Sequence, residues 1–338
     1  MIGIGVVGYG YWGPNLVRNF AETPGARLVA VCDSRLDRLN LVQKRFPGVQ
    51  TFLQFADMLA SPDIDAVAIA TPVHLHFPLT EMALKAGKHV LVEKPLSFSS
   101  HDAAQLIELA AAKKRVLMVD HTFIYTGAVK KIRELVASGD LGELLYYDSV
   151  RVNLGLFQHD VNVLWDLAVH DLSILDFILR ERATAVSATG MAHVPGKPEN
   201  MAYMTLYFAS NILAHIHVNW LSPVKVRQTL IGGSKKMIVY DDLMPSEKIK
   251  VYDRGINLKQ NPQEEEVHKL LVSYRSGDMW SPKLDETEAL KAEAIEFVRC
   301  ITSGDTPEND GVAGLRIVKI LEAASKSLQN RGKPEEIA

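Results

Sequence analysis

Near the N-terminus, Gly8-Tyr9-Gly10-Tyr11-Trp12-Gly13 sets three glycines at the spacing G-x-G-x-x-G. Alone the pattern is weak, but here it follows a β-branched run directly and precedes a helix-compatible stretch. In that setting Gly8 allows a tight turn, Gly10 lets backbone approach a pyrophosphate, and Gly13 allows close helix–strand packing. A helix beginning there aims free N–H groups and its positive dipole end at phosphate. Asp33 follows Gly13 by twenty residues, at the end of a second apolar run, where a carboxylate can accept both hydroxyls of an adenosine ribose. These residues predict a dinucleotide site, with Tyr9, Tyr11, Trp12 and Ser34 among its contacts. Asp33 would repel a 2′-phosphate and so favours NAD. Arg35 can either pair with that phosphate or lie flat on adenine. Two further strand ends belong to the same crevice: Thr71-Pro72 with His76, and Glu93-Lys94-Pro95. Much later, Asp166 and His170 stand four apart in a helical pattern, hence on one face. An arbitrary pair of this kind is most often a solvated polar face.

The elements that position these residues are legible in the spacing. Up to about residue 122, short apolar runs at 4–7, 28–32, 66–70, 89–93 and 116–119 alternate with helical stretches at 15–22, 35–46 and 77–86. That alternation implies right-handed crossovers and a doubly wound parallel sheet, an α/β Rossmann domain spanning residues 1–122. Beyond it, a helix at 127–138, a strand at 144–154 and a helix at 162–182 lead into grouped strands at 183–191, 201–208, 212–220, 226–232 and 236–240. Strands without intervening helices predict an α+β domain, residues 123–338, with a large antiparallel sheet. Residues 259–266 read as a polar loop. Helices at 286–303 and 313–330, joined by turn residues at 304–311, close the chain, and they can pack back on the first domain.

Composition removes several classes. With 338 residues, 47% hydrophobic and 23% charged, the chain can bury two cores and is neither disordered nor disulfide-stapled. Its formal net charge of −3 supplies no basic field for nucleic acid or an anionic membrane. No apolar run reaches the roughly 18 residues of a membrane span. Only Cys32 and Cys300 are present, far apart, which suits a reducing, cytoplasmic setting. His215 and His217 lack companions at metal-ligand spacing, so no metal is expected. Cys32 reads as a small buried strand residue, and Asp171, in the middle of an apolar helical stripe, as a buried carboxylate that needs a hydrogen-bond partner.

Taken together, Gly8-x-Gly10-x-x-Gly13, Thr71-Pro72-x-x-x-His76, the run from Ala86 through Glu93-Lys94-Pro95, Asp166-x-x-x-His170 and Pro307-x-Asn309-Asp310-Gly311-x-x-Gly314-Leu315 resemble the Gfo/Idh/MocA family over nearly the whole chain. Ala168 stands where the family has a glycine. The resemblance implies NAD, a Rossmann domain and an open antiparallel sheet that joins two or four copies. It also implies catalysis by Lys94, Asp166 and His170. Either His170 or Lys94 can take the hydroxyl proton; the expected arrangement has His170 as base, Asp166 as its partner, and Lys94 as a positioning group and proton relay. Residues 10–20, 121–125 and 219–227 are similar to members acting on nucleotide-linked sugars, notably UDP-N-acetylglucosamine 3-dehydrogenases of lipopolysaccharide pathways. For such a substrate Lys225 and Arg227, two apart on a strand, suit a diphosphate. Arg151 and Asn153 suit the sugar. The alternatives are a dehydrogenase of a free sugar or inositol, and an NAD-binding regulatory protein without turnover.

Overall fold

The apolar runs of the first 120 residues become strands that water reaches from neither face. The structure, a computed structural model, describes residues 1–155, 161–179, 181–253, 255–258, 272–275 and 277–337. The chain begins with β1 (Ile2–Val7), α1 (Gly13–Glu22), β2 (Ala26–Cys32), α2 (Leu36–Arg45), β3 (Gln50–Phe52) and α3 (Phe55–Leu59). It continues with β4 (Ala66–Ile69), α4 (His76–Lys85), β5 (His89–Glu93), α5 (Ser100–Lys113) and β6 (Leu117–Asp120). The six strands pair in parallel in the order β3-β2-β1-β4-β5-β6. Successive residues of a strand point to opposite faces, yet Ala68 and Ile69 are both 0% exposed. Helices therefore close both faces, as a doubly wound sheet requires. Strand order reverses beside β1, so the carboxyl ends of β1 and β4 open the crevice where such sheets bind ligands.

The second sheet is built from α6 (Gly127–Ala137), β7 (Leu144–Leu154), α7 (Val169–Ile178), β8 (Ala183–Met191), β9 (Met201–Phe208), β10 (Leu213–Asn219) and β11 (Leu221–Gly233). Then come β12 (Met237–Asp241), β13 (Ile249–Tyr252), β14 (Gly255–Leu258), β15 (Val272–Arg275) and β16 (Met279–Trp280). The chain ends with α8 (Ala289–Ser303), α9 (Gly311–Gln329) and β17 (Glu335–Glu336). Nine strands join in the order β16-β13-β12-β11-β7-β10-β9-β8-β17, while β14 and β15 pair separately. The sheet is mixed rather than wholly antiparallel, because β10 runs parallel to β7. β10 reaches β7 only after α7, β8 and β9, and so long a connection permits a parallel return.

Two compact units result: Met1–Thr126 with Thr287–Glu322, and Gly127–Glu286 with Ala323–Ala338. Thr287–Glu322 thus belongs with the first unit, where Phe297 of α8 packs edge-on against Phe20 of α1 at 6.2 Å between ring centroids. The expected helix 162–182 is shorter and interrupted: Leu164–Ala168 forms a π-turn and α7 stops at Ile178. The predicted loop at 259–266 lies outside the described residues.

Asp171 finds its partner inside the second unit. Its carboxylate receives Arg151 Nε at 2.6 Å, Arg151 Nη2 at 3.2 Å and Ser149 Oγ at 2.7 Å, with both charged side chains 4% exposed or less. A buried pair of this geometry persists because each ion replaces the other's lost water. We predict that Asp171→Ala, which strands the Arg151 charge, costs about 3–5 kcal/mol in chemical denaturation.

Candidate active site

Each glycine of the first turn has a separate steric reason. Gly8 has φ +90°, and a Cβ there would lie 2.5 Å from the Ala70 carbonyl oxygen. At Gly13 a Cβ would lie 1.9 Å from the Gly8 carbonyl oxygen. A Cβ on Gly10 would meet nothing within 4 Å, so this backbone borders open space. α1 has neither an acidic residue in its first turn nor a side-chain cap, which leaves its N-terminus to an anion. Asp33 Oδ2 accepts the Tyr9 N–H at 2.7 Å and Oδ1 accepts the Arg35 N–H at 2.9 Å. The carboxylate thus ties β2 to the loop, and each oxygen keeps a lone pair for a ribose hydroxyl. Ser34 and Arg35 are exposed beside it, as is Tyr11 within the loop. These residues fit NAD: Gly10 and the α1 N-terminus would hold the pyrophosphate, and Asp33 the ribose. The neighbouring Cys32 is 4% exposed, and burial, with the Asp33 charge, pushes its thiol up to about 12. It is no nucleophile at neutral pH.

His76 is not a surface ligand. It is 1% exposed, with Nδ1 2.7 Å from the Pro95 carbonyl oxygen and Nε2 2.9 Å from that of Thr71. Burial lowers its pKa, while these two carbonyls oppose the shift. It therefore clamps the end of β4 to the turn that carries Lys94. Glu93, the other residue expected at this strand end, is half-buried, and its Oε2 accepts the Lys94 N–H at 3.1 Å. It stands in register with Asp120 across parallel β5 and β6. Asp120 accepts the Trp12 indole N–H at 2.9 Å and the Thr122 hydroxyl. Burial, then the Asp120 charge, holds the carboxyls of Glu93 and Glu293 (on α8) well above the usual carboxylate range. Asp120 and Glu293 escaped sequence reasoning. Two acids ending neighbouring strands were a usable signal for Asp120, whereas nothing local pointed to Glu293.

In the second unit the π-turn carries Asp166, whose Oδ2 accepts the Trp220 indole N–H at 3.0 Å. His170 follows in the first turn of α7; both are half-buried. Ser173 is 4% exposed and donates to the His170 carbonyl at 2.7 Å. Arg151 is committed to Asp171 and is a core residue rather than a sugar contact. Asn153 is half-buried near the end of β7. Lys225 is exposed in a stretch where the register of β11 with β7 breaks between Leu221 and Val226. Strict alternation therefore does not link it to Arg227. Arg227 Nη1 lies 3.2 Å from Asp242 Oδ2, and Lys248 reaches the same carboxylate. His217 stacks on Tyr203 at 4.4 Å, and no group of three or more potential metal ligands occurs among the described residues.

Residues 2–121 match the Gfo/Idh/MocA model described as an oxidoreductase family with an NAD-binding Rossmann fold. Residues 129–239 match that family's C-terminal domain. The chain belongs to the Gfo/Idh/MocA family and is an NAD-dependent oxidoreductase. It is 27% identical over 323 residues to a UDP-N-acetylglucosamine 3-dehydrogenase of Acidithiobacillus ferrooxidans, covering 93% of each chain. It is 25% identical to a myo-inositol 2-dehydrogenase of Thermotoga maritima, over 97% of this chain and 96% of that one. The solved structure of the A. ferrooxidans enzyme shares the fold with a TM-score of 0.82 at 24% identity, over 97% of this chain and 98% of that one. No described helix is long and apolar enough to cross a membrane.

Gly10→Ala should fold normally and weaken NAD binding by at least about tenfold in titration calorimetry, or about 1.4 kcal/mol. Gly13→Ala should lower the melting temperature as well. Asp33→Ala should weaken NAD and narrow its preference over NADP, read from paired dissociation constants.

Proposed function

We propose that the protein oxidises a secondary hydroxyl of a nucleotide-linked sugar, the 3-hydroxyl of UDP-N-acetylglucosamine first among candidates, in the cytoplasm. The observation that carries the chemistry is Asp166, held by the Trp220 indole and followed one turn later by half-buried His170. NAD, when bound, supplies the hydride acceptor. His170 takes the hydroxyl proton, which imidazole does near neutral pH, and Asp166 stabilises the imidazolium so formed. Lys94 hydrogen-bonds the reacting oxygen and offsets developing alkoxide charge. Support for the substrate comes from the A. ferrooxidans relative and from the cations Lys225 and Arg227.

A second reading, a free sugar or inositol as substrate, is favoured by a specific observation. Arg151 and Arg227, two of the three cations expected near the substrate, already face Asp171 and Asp242. The inositol dehydrogenase relative has the same bearing.

Two or four copies are expected to join through the open face of the nine-stranded sheet. Tyr146, Tyr203, Tyr207 and Leu213 are there 37–46% exposed, a grouping that monomers seldom leave in water. Tyr203→Asp should then lower the sedimenting mass.

Lys94→Ala and His170→Ala should each lose at least about a hundredfold in turnover while still binding NAD. Retained turnover in both would remove these residues from the mechanism, whereas wild type that binds NAD but forms no NADH from any substrate below would leave the regulatory reading. NADH formation from UDP-N-acetylglucosamine, unlinked N-acetylglucosamine and myo-inositol decides the substrate, and equal rates on the first two would remove the nucleotide. Arg227→Ala should raise KM for a UDP-sugar with little change in kcat, because a diphosphate is bound alike in ground and transition states.

A further inference from the structure

Glu293 lies on α8, outside every motif of the sequence, and it is 0% exposed. Oε1 accepts the Asn309 side-chain N–H at 2.9 Å, and the same Nδ2 donates to the carbonyl of Val119, next to Asp120. The Tyr125 hydroxyl holds Asn309 from its other side, donating to Oδ1 at 2.6 Å. The second oxygen, Oε2, is fully enclosed and no N–H or O–H of a neighbour reaches it. The carboxyl of Asp120 is the nearest acidic influence on it, within hydrogen-bonding reach of the Glu293 carboxyl. Two carboxyls hydrogen-bond only if one of them carries a proton. Asp120 accepts from both Trp12 and Thr122, the behaviour of the ionised partner. The proton therefore sits on Glu293. We propose that Glu293 is a positioning residue for the dinucleotide site: its proton lets Asp120 stay beside it and grip the Trp12 indole, which keeps the glycine-rich loop in its cofactor-binding shape.

The charged and titratable groups around this point come from every neighbouring element. β5 contributes Glu93, with Lys94 directly after it, and β6 contributes Asp120. Tyr125 faces Glu293, Glu296 and Cys300 of α8, with Glu308 before Asn309. Loss of the Glu293 proton adds a negative charge to an enclosed site that holds Glu93 and Asp120. Like charges there repel with little water between them, and one carboxyl must turn away. Burial, then Asp120, raises Glu293 above the ordinary carboxylate value. Its stabilising contribution is thus complete below that value and is lost as pH rises through the raised one.

The test uses the full chain, with NAD dissociation constants measured by calorimetry between about pH 6 and 10 for wild type, Glu293→Gln and Glu293→Ala. Glutamine keeps an acceptor for Asn309 and a donor for Asp120, and it cannot ionise. Wild type should lose about tenfold or more in affinity toward the alkaline end. Glu293→Gln should bind like acid-side wild type and lose only a small part of that, and Glu293→Ala should bind weakly throughout. A Glu293→Gln profile parallel to wild type overturns the proposal, even if Glu293→Ala fails to fold. So does wild-type affinity in a folded Glu293→Ala. Absence of NAD binding by wild type at every pH would instead overturn the cofactor reading, and the proposal with it.

Discussion

A carboxylate ends β5 and another ends β6, in register on neighbouring parallel strands, and two such charges cannot both persist away from water. Much of the first unit is arranged around that constraint. Trp12 and Thr122 satisfy Asp120, Asn309 ties Glu293 to β6, and Tyr125 ties Asn309. The loop before α1, the turn after β6, α8 and the segment before α9 thereby meet at one polar point. Buried networks of this kind specify a single arrangement only when every member has a partner. The proton on Glu293 gives its own second oxygen, otherwise without a partner, a hydrogen bond to Asp120.

The second unit solves the same problem with opposite charges. Arg151 and Asp171 take each other out of water, and Ser149 completes the acceptor's shell. Arg227 stands in register with Arg151 across β11 and β7, and Asp242 offsets it. Cations that spacing alone assigns to a substrate are thus already partnered within the domain. A charged residue in a strand reports a need for an opposite charge, and that charge can be supplied by the chain as well as by a ligand.

His76 and Trp220 show how residues without reacting atoms prepare those that have them. His76 joins the carbonyls of Thr71 and Pro95, and so fixes the turn containing Lys94 from the far side. Trp220 donates to Asp166 within a π-turn, whose wider winding is frequent at functional sites. In both cases the reactive side chain is oriented by a group distant in sequence, which limits the rotamers it must give up on binding.

Local pattern was enough for the parallel sheet, the glycine turn and Asp33, because strand alternation, backbone sterics at Gly8 and Gly13, and the end of β2 depend on residues close in the chain. Asp166 and His170 were legible as a pair for the same reason, although the π-turn between them was not. The mixed sheet, the place of α8 in the first unit, the pairing of Arg151 with Asp171 and the burial of His76 were decided by the tertiary structure. So was the entire Glu93–Asp120–Glu293 group. Periodicity shows which face a side chain takes, but it does not show what the opposite element presents to it. Partners 20 to 200 residues apart are brought together only by packing, and there the low dielectric of the interior makes their charge states interdependent.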